Sequence, residues 1–173
     1  MTFGFPELAA IRLGYGLSPL MPPPENVEAV LSGPAKAGPG PDAMTTARAS
    51  ELMVRLRDLT KARKEGGQED IEKSKDFNRT LGRMMVADLQ SRIIRAVDDP
   101  IGFGERLVQF WADHFTVRPA GAGQNPLAVA FVDEAIRPHV NGRFEDMFFA
   151  ADTHPMMLVY LNQTSSRGPN SIA

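Results

Sequence analysis

Three histidines, His114, His139 and His154, stand in the last third of the chain among the carboxylates Glu105, Asp113, Asp133, Glu134, Glu145, Asp146 and Asp152. Imidazoles and carboxylates are the groups from which acid–base and metal-assisted hydrolysis are built. His114, His139, His154, Glu105 and Asp113 are therefore the catalytic candidates, and the three histidines are the candidate ligands of a divalent metal. Their intervals of 25 and 15 residues match no compact zinc signature. Bundles do assemble metal sites from inward-facing side chains on separate helices, so convergence is a matter for the fold. Other chemistries are excluded by inventory. With no Cys there is no thiol nucleophile, iron–sulfur cluster, disulfide or Cys-ligated zinc. There is no Gly-x-Ser-x-Gly elbow, no phosphate loop ending in Gly-Lys-Ser/Thr and no His-Glu-x-x-His helix. Gly14-Tyr-Gly16 and Gly102-Phe-Gly104 imitate the start of a dinucleotide loop, but Pro19 and Leu107 stand where the third glycine is needed. No cofactor is evident beyond the metal just considered.

Each candidate also has a packing account. His114 shares helical spacing with Phe103, Leu107, Phe110 and Trp111, which predicts a core imidazole with a hydrogen-bonded neighbour and makes Trp111 a core anchor. His139 follows Pro138 near a helix C-terminus, where the dipole favours a cation. His154 precedes Pro155 and is placed to cap the last helix. Arg106 and Arg137 each adjoin an apolar face, which predicts ion pairs across a bundle.

The elements that must position these groups are helical. A helix is expected around Phe5 to Leu13 and a second from Pro24 to Leu31, followed by a flexible Pro/Gly-rich connector, Ser32 to Asp42. From Thr45, Leu52, Leu56 and Leu59 recur at helical spacing up to Gly66-Gly67. From Glu69 to Val97 a longer helix places Phe77, Leu81, Met84, Met85, Leu89, Ile93 and Ile94 on a broad apolar stripe. The two predict an antiparallel hairpin across the Gly-Gly turn. Asp98-Asp-Pro100 stops the long helix, and Asp99 is placed to cap the next, Ile101 to Val117. A further helix runs from Pro126 to Asn141-Gly142, where Gly142 is expected in the left-handed capping conformation. Two short ones follow, from Arg143 to Ala151 and from Pro155, the latter apolar nearly all round and so either a buried helix or a core strand. The reading is an all-α, irregular multi-helix bundle of about six to eight helices. Residues 1–43 form an N-terminal part with the connector and 44–173 the main bundle, one domain overall.

Composition agrees with a soluble globular chain of 173 residues, 43% hydrophobic and 23% charged. A net charge of −2 and a pI near 5.9 give no whole-domain grip on nucleic acid. No apolar run is long enough to span a membrane. Pro6, Glu7 and Arg12 interrupt any signal-like N-terminus, which points to a cytoplasmic location.

The run Glu105-Arg-Leu-Val-Gln-Phe-Trp-Ala-Asp-His-Phe-Thr-Val117, then Ile136-Arg-Pro-His-Val-Asn-Gly-Arg-Phe-Glu-Asp-Met147, then His154-Pro-Met-Met-Leu-Val-Tyr-Leu-Asn162, closely resembles the bacterial domain-of-unknown-function 1800 family. Arg12-Leu-Gly-Tyr-Gly16 resembles that family's N-terminal signature. The resemblance implies a mainly helical bacterial protein with no established reaction, often encoded beside a second uncharacterised family related to sulfatases, whose product is thus the implied partner. It implies a longer protein, continuing after Ser165–Ser171 into a helix rich in Asn, Glu and Arg, and relatives that are often exported. The positions matching its polar signature are Arg12, Arg106, Trp111, His114, Arg137, His139, His154 and Asn162, so Arg12, Arg106, Trp111, Arg137 and Asn162 join the candidates for binding. Asp113 stands where the family often has Asn.

Two functions follow. One is an α-helical structural or partner-binding module of a larger bacterial protein, with no assignable activity. The other is a metal-assisted or acid–base hydrolase whose site is completed by sequence beyond residue 173.

Overall fold

The structure, a computed structural model, describes residues 2–99, 101–166 and 168. Among them are eight α-helices and no strand: α1 (Phe5–Arg12), α2 (Val27–Lys36), α3 (Thr46–Glu65), α4 (Gln68–Asp98), α5 (Phe103–His114), α6 (Asn125–Phe131), α7 (Phe144–Thr153) and α8 (Pro155–Tyr160). The all-α bundle and its hairpin follow the sequence reading. Thr45 caps α3 by accepting the Arg48 N–H at 3.2 Å. Beyond Gly66-Gly67, α4, 31 residues long, turns back against α3. Both pack on α6, whose seven residues are all buried. Around α6 the core gathers Val108, Phe131, Ile136, Met147, Ala151 and Met156. Burying a side chain of Val, Ile, Phe or Met size contributes about 1.5–3 kcal/mol. Pro100 in the expected stop, together with Arg167, Pro169, Asn170 and Ser171 of the polar tail, lies outside the described residues.

Several boundaries depart from expectation. Helix α2 opens at Val27 rather than Pro24, because the Asn26 side chain accepts the Ala29 N–H at 2.8 Å. It then continues through Gly33, Pro34 and Ala35, residues expected in a flexible connector. Pro34 forfeits a backbone hydrogen bond, but it stands in the last turn, and packing fixes the segment. A Cβ on Gly104 of α5 would lie 2.7 Å from the Gly33 carbonyl carbon, so α2 and α5 touch backbone to backbone. Helix α5 starts at Phe103, after a left-handed Gly102 (φ +69°). Asp99 instead accepts the Ile101 N–H at 3.0 Å, within the turn. Gly142 is not left-handed; its N–H simply returns to the His139 carbonyl.

The stripe on α4 is split. Leu81 is buried, and Phe77, Met84 and Met85 are half-buried, whereas Leu89, Ile93 and Ile94 face outward with Val86 and Val97. Eight residues separate Leu81 from Leu89, which on a 3.6-residue repeat turns the side chain about 80° from the core direction.

Candidate functional site

Beyond Phe131, α6 widens into a π-helical turn, Val132–Ile136, and tightens into a 3₁₀ turn, Arg137–His139. Such widened turns recur at functional sites. Here the turn presents Asp133, Glu134 and Arg137 to the segment joining α2 to α3. Asp133 Oδ2 accepts the Met44 N–H at 2.9 Å. Glu134 Oε2 accepts the Thr46 N–H at 2.8 Å and the Thr46 hydroxyl at 2.5 Å. Arg137 Nη1 donates to the Ala37 carbonyl at 3.2 Å. Three successive polar side chains thereby hold both ends of the connector.

Arg137 is also the centre of an ion pair. Its Nη1 and Nη2 meet the two Glu105 oxygens at 2.8 Å each, and its Nε stands 3.4 Å from Asp133. Both partners of the bidentate pair are buried. Burial works against the Arg137 charge, but the hydrogen bonds and field of Glu105, together with the fields of Asp133 and Asp88, exceed it and hold its pKa above the ordinary value. Burial raises the Asp133 pKa, opposed by the Met44 N–H and by Arg137. A cleft of about 300 Å³ opens beside this network, lined by Asp42, Asp88, Ser91, Arg95, Asp133 and Arg137. Arg95 reaches across it to the Gly38 carbonyl at 3.2 Å. Asp88 is held at 2.6 Å by Arg92.

His154 lies next to this turn, and its two ring nitrogens are both engaged. Nδ1 accepts the Met156 N–H at 3.0 Å, the N-cap of α8 expected from sequence. A nitrogen accepting from the backbone carries no proton, so the neutral ring holds its hydrogen on Nε2. Nε2 faces Thr46 Oγ1 at 3.2 Å and Glu134 Oε2 at 3.4 Å, and Phe131 stands edge-on to the ring. Burial lowers the His154 pKa, with Glu134 pulling the other way. Hydroxyl, imidazole and carboxylate thus meet, but as braces: the Thr46 hydroxyl donates to Glu134 within the first turn of α3, and the imidazole caps α8.

The remaining candidates are scattered. His114 is exposed, contrary to the expected core position. It ends α5 among Phe110, Trp111 and Phe115, because the apolar side of α5 that meets the core runs through Gly104 and Val108 instead. Trp111 is half-buried and packs on the core edge against Phe144. His139 is half-buried in the 3₁₀ turn, and Asp113 is exposed. Among the described residues Arg106 pairs with no carboxylate, contrary to the expected ion pair; its guanidinium donates to the Gly14 carbonyl. Arg12 is exposed in the last turn of α1, and Asn162 takes the left-handed conformation (φ 57°) just after α8. Among the described residues no three His, Asp or Glu side chains come together in an arrangement that could hold a metal ion.

The two dinucleotide-like glycine motifs form one joint. A Cβ on Gly14 would stand 2.7 Å from the Ile101 carbonyl, and one on Gly102 would stand 2.9 Å from the Tyr15 ring. Glycine at these places permits close approach of Arg12–Gly16 to Ile101–Arg106. Beside the joint a cleft of about 490 Å³ is lined by Tyr15, Leu17, Met21, Ile93, Val97 and Gln109. Burial, then Glu105, raises the Tyr15 pKa.

Thr46, Asp133 and Glu134 are the members that sequence reasoning missed. A faint signal was present: an acidic pair one turn before Arg137, with Thr45-Thr46 opening a helix.

No curated protein and no solved structure matches the chain. A family model described as "Protein of unknown function (DUF1800)" matches residues 9–171, and on that match, which takes in the glycine joint, the Arg137 network and the His154 cap, the chain belongs to the DUF1800 family.

Proposed function

We propose that this chain serves as an α-helical structural and partner-binding module rather than as a catalyst. One observation carries the reading. The polar groups that catalysis would require are consumed in bracing: Glu105 and Arg137 by each other, Asp133 and Glu134 by backbone amides, His154 by the cap of α8. Large aliphatic and aromatic side chains face outward instead, including Val86, Leu89, Ile93, Phe148 and Phe149. No helix among the described residues is long and apolar enough to cross a membrane; exposed apolar faces of this kind mark contact surfaces, here assigned to a protein partner. The sulfatase-related product implied by the family resemblance is the heterologous partner to try.

Metal analysis and a panel of ester, phosphate and glycoside substrates test the reading, with His154→Asn as the diagnostic variant because Asn also caps helices. Expected are no stoichiometric metal and no turnover. Turnover by the natural chain that vanishes in a fully folded His154→Asn protein would make the imidazole chemical, and the reading would fall.

A further inference from the structure

We propose that the outer face of α4 is a self-association surface, pairing with α4 of a second copy in antiparallel orientation. The proposal rests on the module reading above and names one partner for it. Val86, Leu89, Ile93 and Val97 recur at spacings of three and four along α4, and with Ile94 they are 53–64% exposed. This is the repeat that lets one helix bury a stripe against another.

Charge selects the occupant and its direction. In the N-terminal half of α4 the exposed charges are matched within the helix: Lys73 with Glu69, Lys75 with Glu72, Arg79 with Asp76. At the two ends of the aliphatic stripe stand Arg83 and Asp98, both exposed and neither in an ion pair among the described residues. Arg83, Ile94 and Asp98 follow at intervals of eleven and four residues, which places them along one flank of the stripe. Fifteen residues, about 22 Å of helix, separate Arg83 from Asp98. A two-fold axis through the midpoint, near Gln90, sets Arg83 of each copy against Asp98 of the other and Leu89 close to Ile93. Parallel, in-register pairing would oppose Arg83 to Arg83 and Asp98 to Asp98. The stripe is self-complementary only when antiparallel, as a two-fold interface requires.

Because the chain has no Cys, introduced thiols report the geometry directly. Sedimentation from about 1 µM to about 1 mM, the range covering weak to moderate affinity, is expected to show a monomer–dimer equilibrium. Leu89→Glu should weaken it by roughly tenfold or more. Arg83→Asp and Asp98→Arg should each weaken it, and their combination should restore it. On oxidation, Gln90→Cys should cross-link to itself, Arg83→Cys mixed with Asp98→Cys should cross-link to each other, and Arg83→Cys alone should not. A strictly monomeric chain, association indifferent to Leu89→Glu, or self-cross-linking of Arg83→Cys would each overturn the proposal. These measurements read pairing alone and the substrate panel reads turnover alone, so either idea can fail without the other.

Discussion

Around Arg137 a full positive charge is sealed from water at 3% exposure and met by both oxygens of Glu105, while along the second half of α4 five aliphatic side chains stand more than half exposed. In these two regions charge and apolar surface have exchanged their usual places. The interior charge joins elements that are distant in sequence: Arg137 ties the turn after α6 to α5 through Glu105 and to the end of α2 through Ala37. The outer aliphatics are left more than half uncovered by the described residues, with Ile93 and Val97 lining one side of the cleft beside the glycine joint. A buried ion pair contributes little net stability because desolvation offsets its attraction, yet removal of one partner strands the other. An exposed aliphatic contributes little to the monomer at all. Similar perturbations of the two regions should therefore separate widely in cost.

The largest effect is expected at the ion pair. Glu105→Ala leaves Arg137 charged and buried, at a cost of about 3–5 kcal/mol, which in a chain of this size lowers Tm by roughly 6–20 °C. Joint replacement of Glu105 and Arg137 by Met should cost less than Glu105→Ala alone. Leu89→Glu, by contrast, should leave the stability of the monomer within about 0.5 kcal/mol. Comparable melting losses in Glu105→Ala and Leu89→Glu would erase the distinction between the regions.

The same two regions show what was legible in the sequence. Helix existence was, because spacing such as Leu52, Leu56, Leu59 and stops such as Gly66-Gly67 are local signals. Identity of the covering partner was not. The spacing of Leu89 and Ile93 says that they share a face, and it is silent on whether that face meets the core. Arg137 could be assigned to an ion pair, but its partner lies 32 residues away on another helix, and only packing selects Glu105. The π turn escaped notice because one extra residue in a turn leaves the apolar pattern of Leu127 to Ile136 nearly unchanged. His154 was readable as a cap, since His-Pro at a helix start is a local arrangement. Thr46 and Glu134, which face its other nitrogen, are contributed by α3 and the π turn.

A smaller loss is expected where the chain depends on closeness rather than charge. The α2–α5 crossing is set by Gly33 and Gly104, and a methyl group on Gly104 would meet the Gly33 carbonyl carbon at 2.7 Å. Gly104→Ala must push the helices apart, and overpacking of this kind costs about 1–3 kcal/mol. The displacement would also move Glu105, the next residue, relative to Arg137. Gly82→Ala is the counterpart on α4. A Cβ there meets nothing within 4 Å, so the higher helix propensity of Ala should raise stability by about 0.5–1 kcal/mol. Paired thermal melts of the two variants should thus shift in opposite directions, and a destabilising Gly82→Ala would show that the outer side of α4 is less open than it stands.

The smallest effect is expected at His154, and it is read best against pH. Burial holds its pKa below the ordinary value of 6.5, and Glu134 only partly opposes this. The folded state therefore binds the proton less readily than the unfolded chain. The stabilisation is fully present above about pH 6.5 and is lost as pH falls from there toward the lowered folded value. The structural reason is the cap: a proton on Nδ1 would turn the acceptor of the Met156 N–H into a second donor facing it. His154→Asn keeps a capping oxygen and removes the titration, whereas His154→Ala loses the cap, worth about 1 kcal/mol. Denaturant melts at pH 7.5 and pH 5.5 should show a pH-dependent loss in the natural chain that His154→Asn reduces and His154→Ala converts into a loss at both values. An unchanged pH dependence in His154→Asn would mean that the acid loss comes from other groups, and a steeper one that the imidazole is protonated in the fold, with Glu134 rather than the α8 cap as its principal partner.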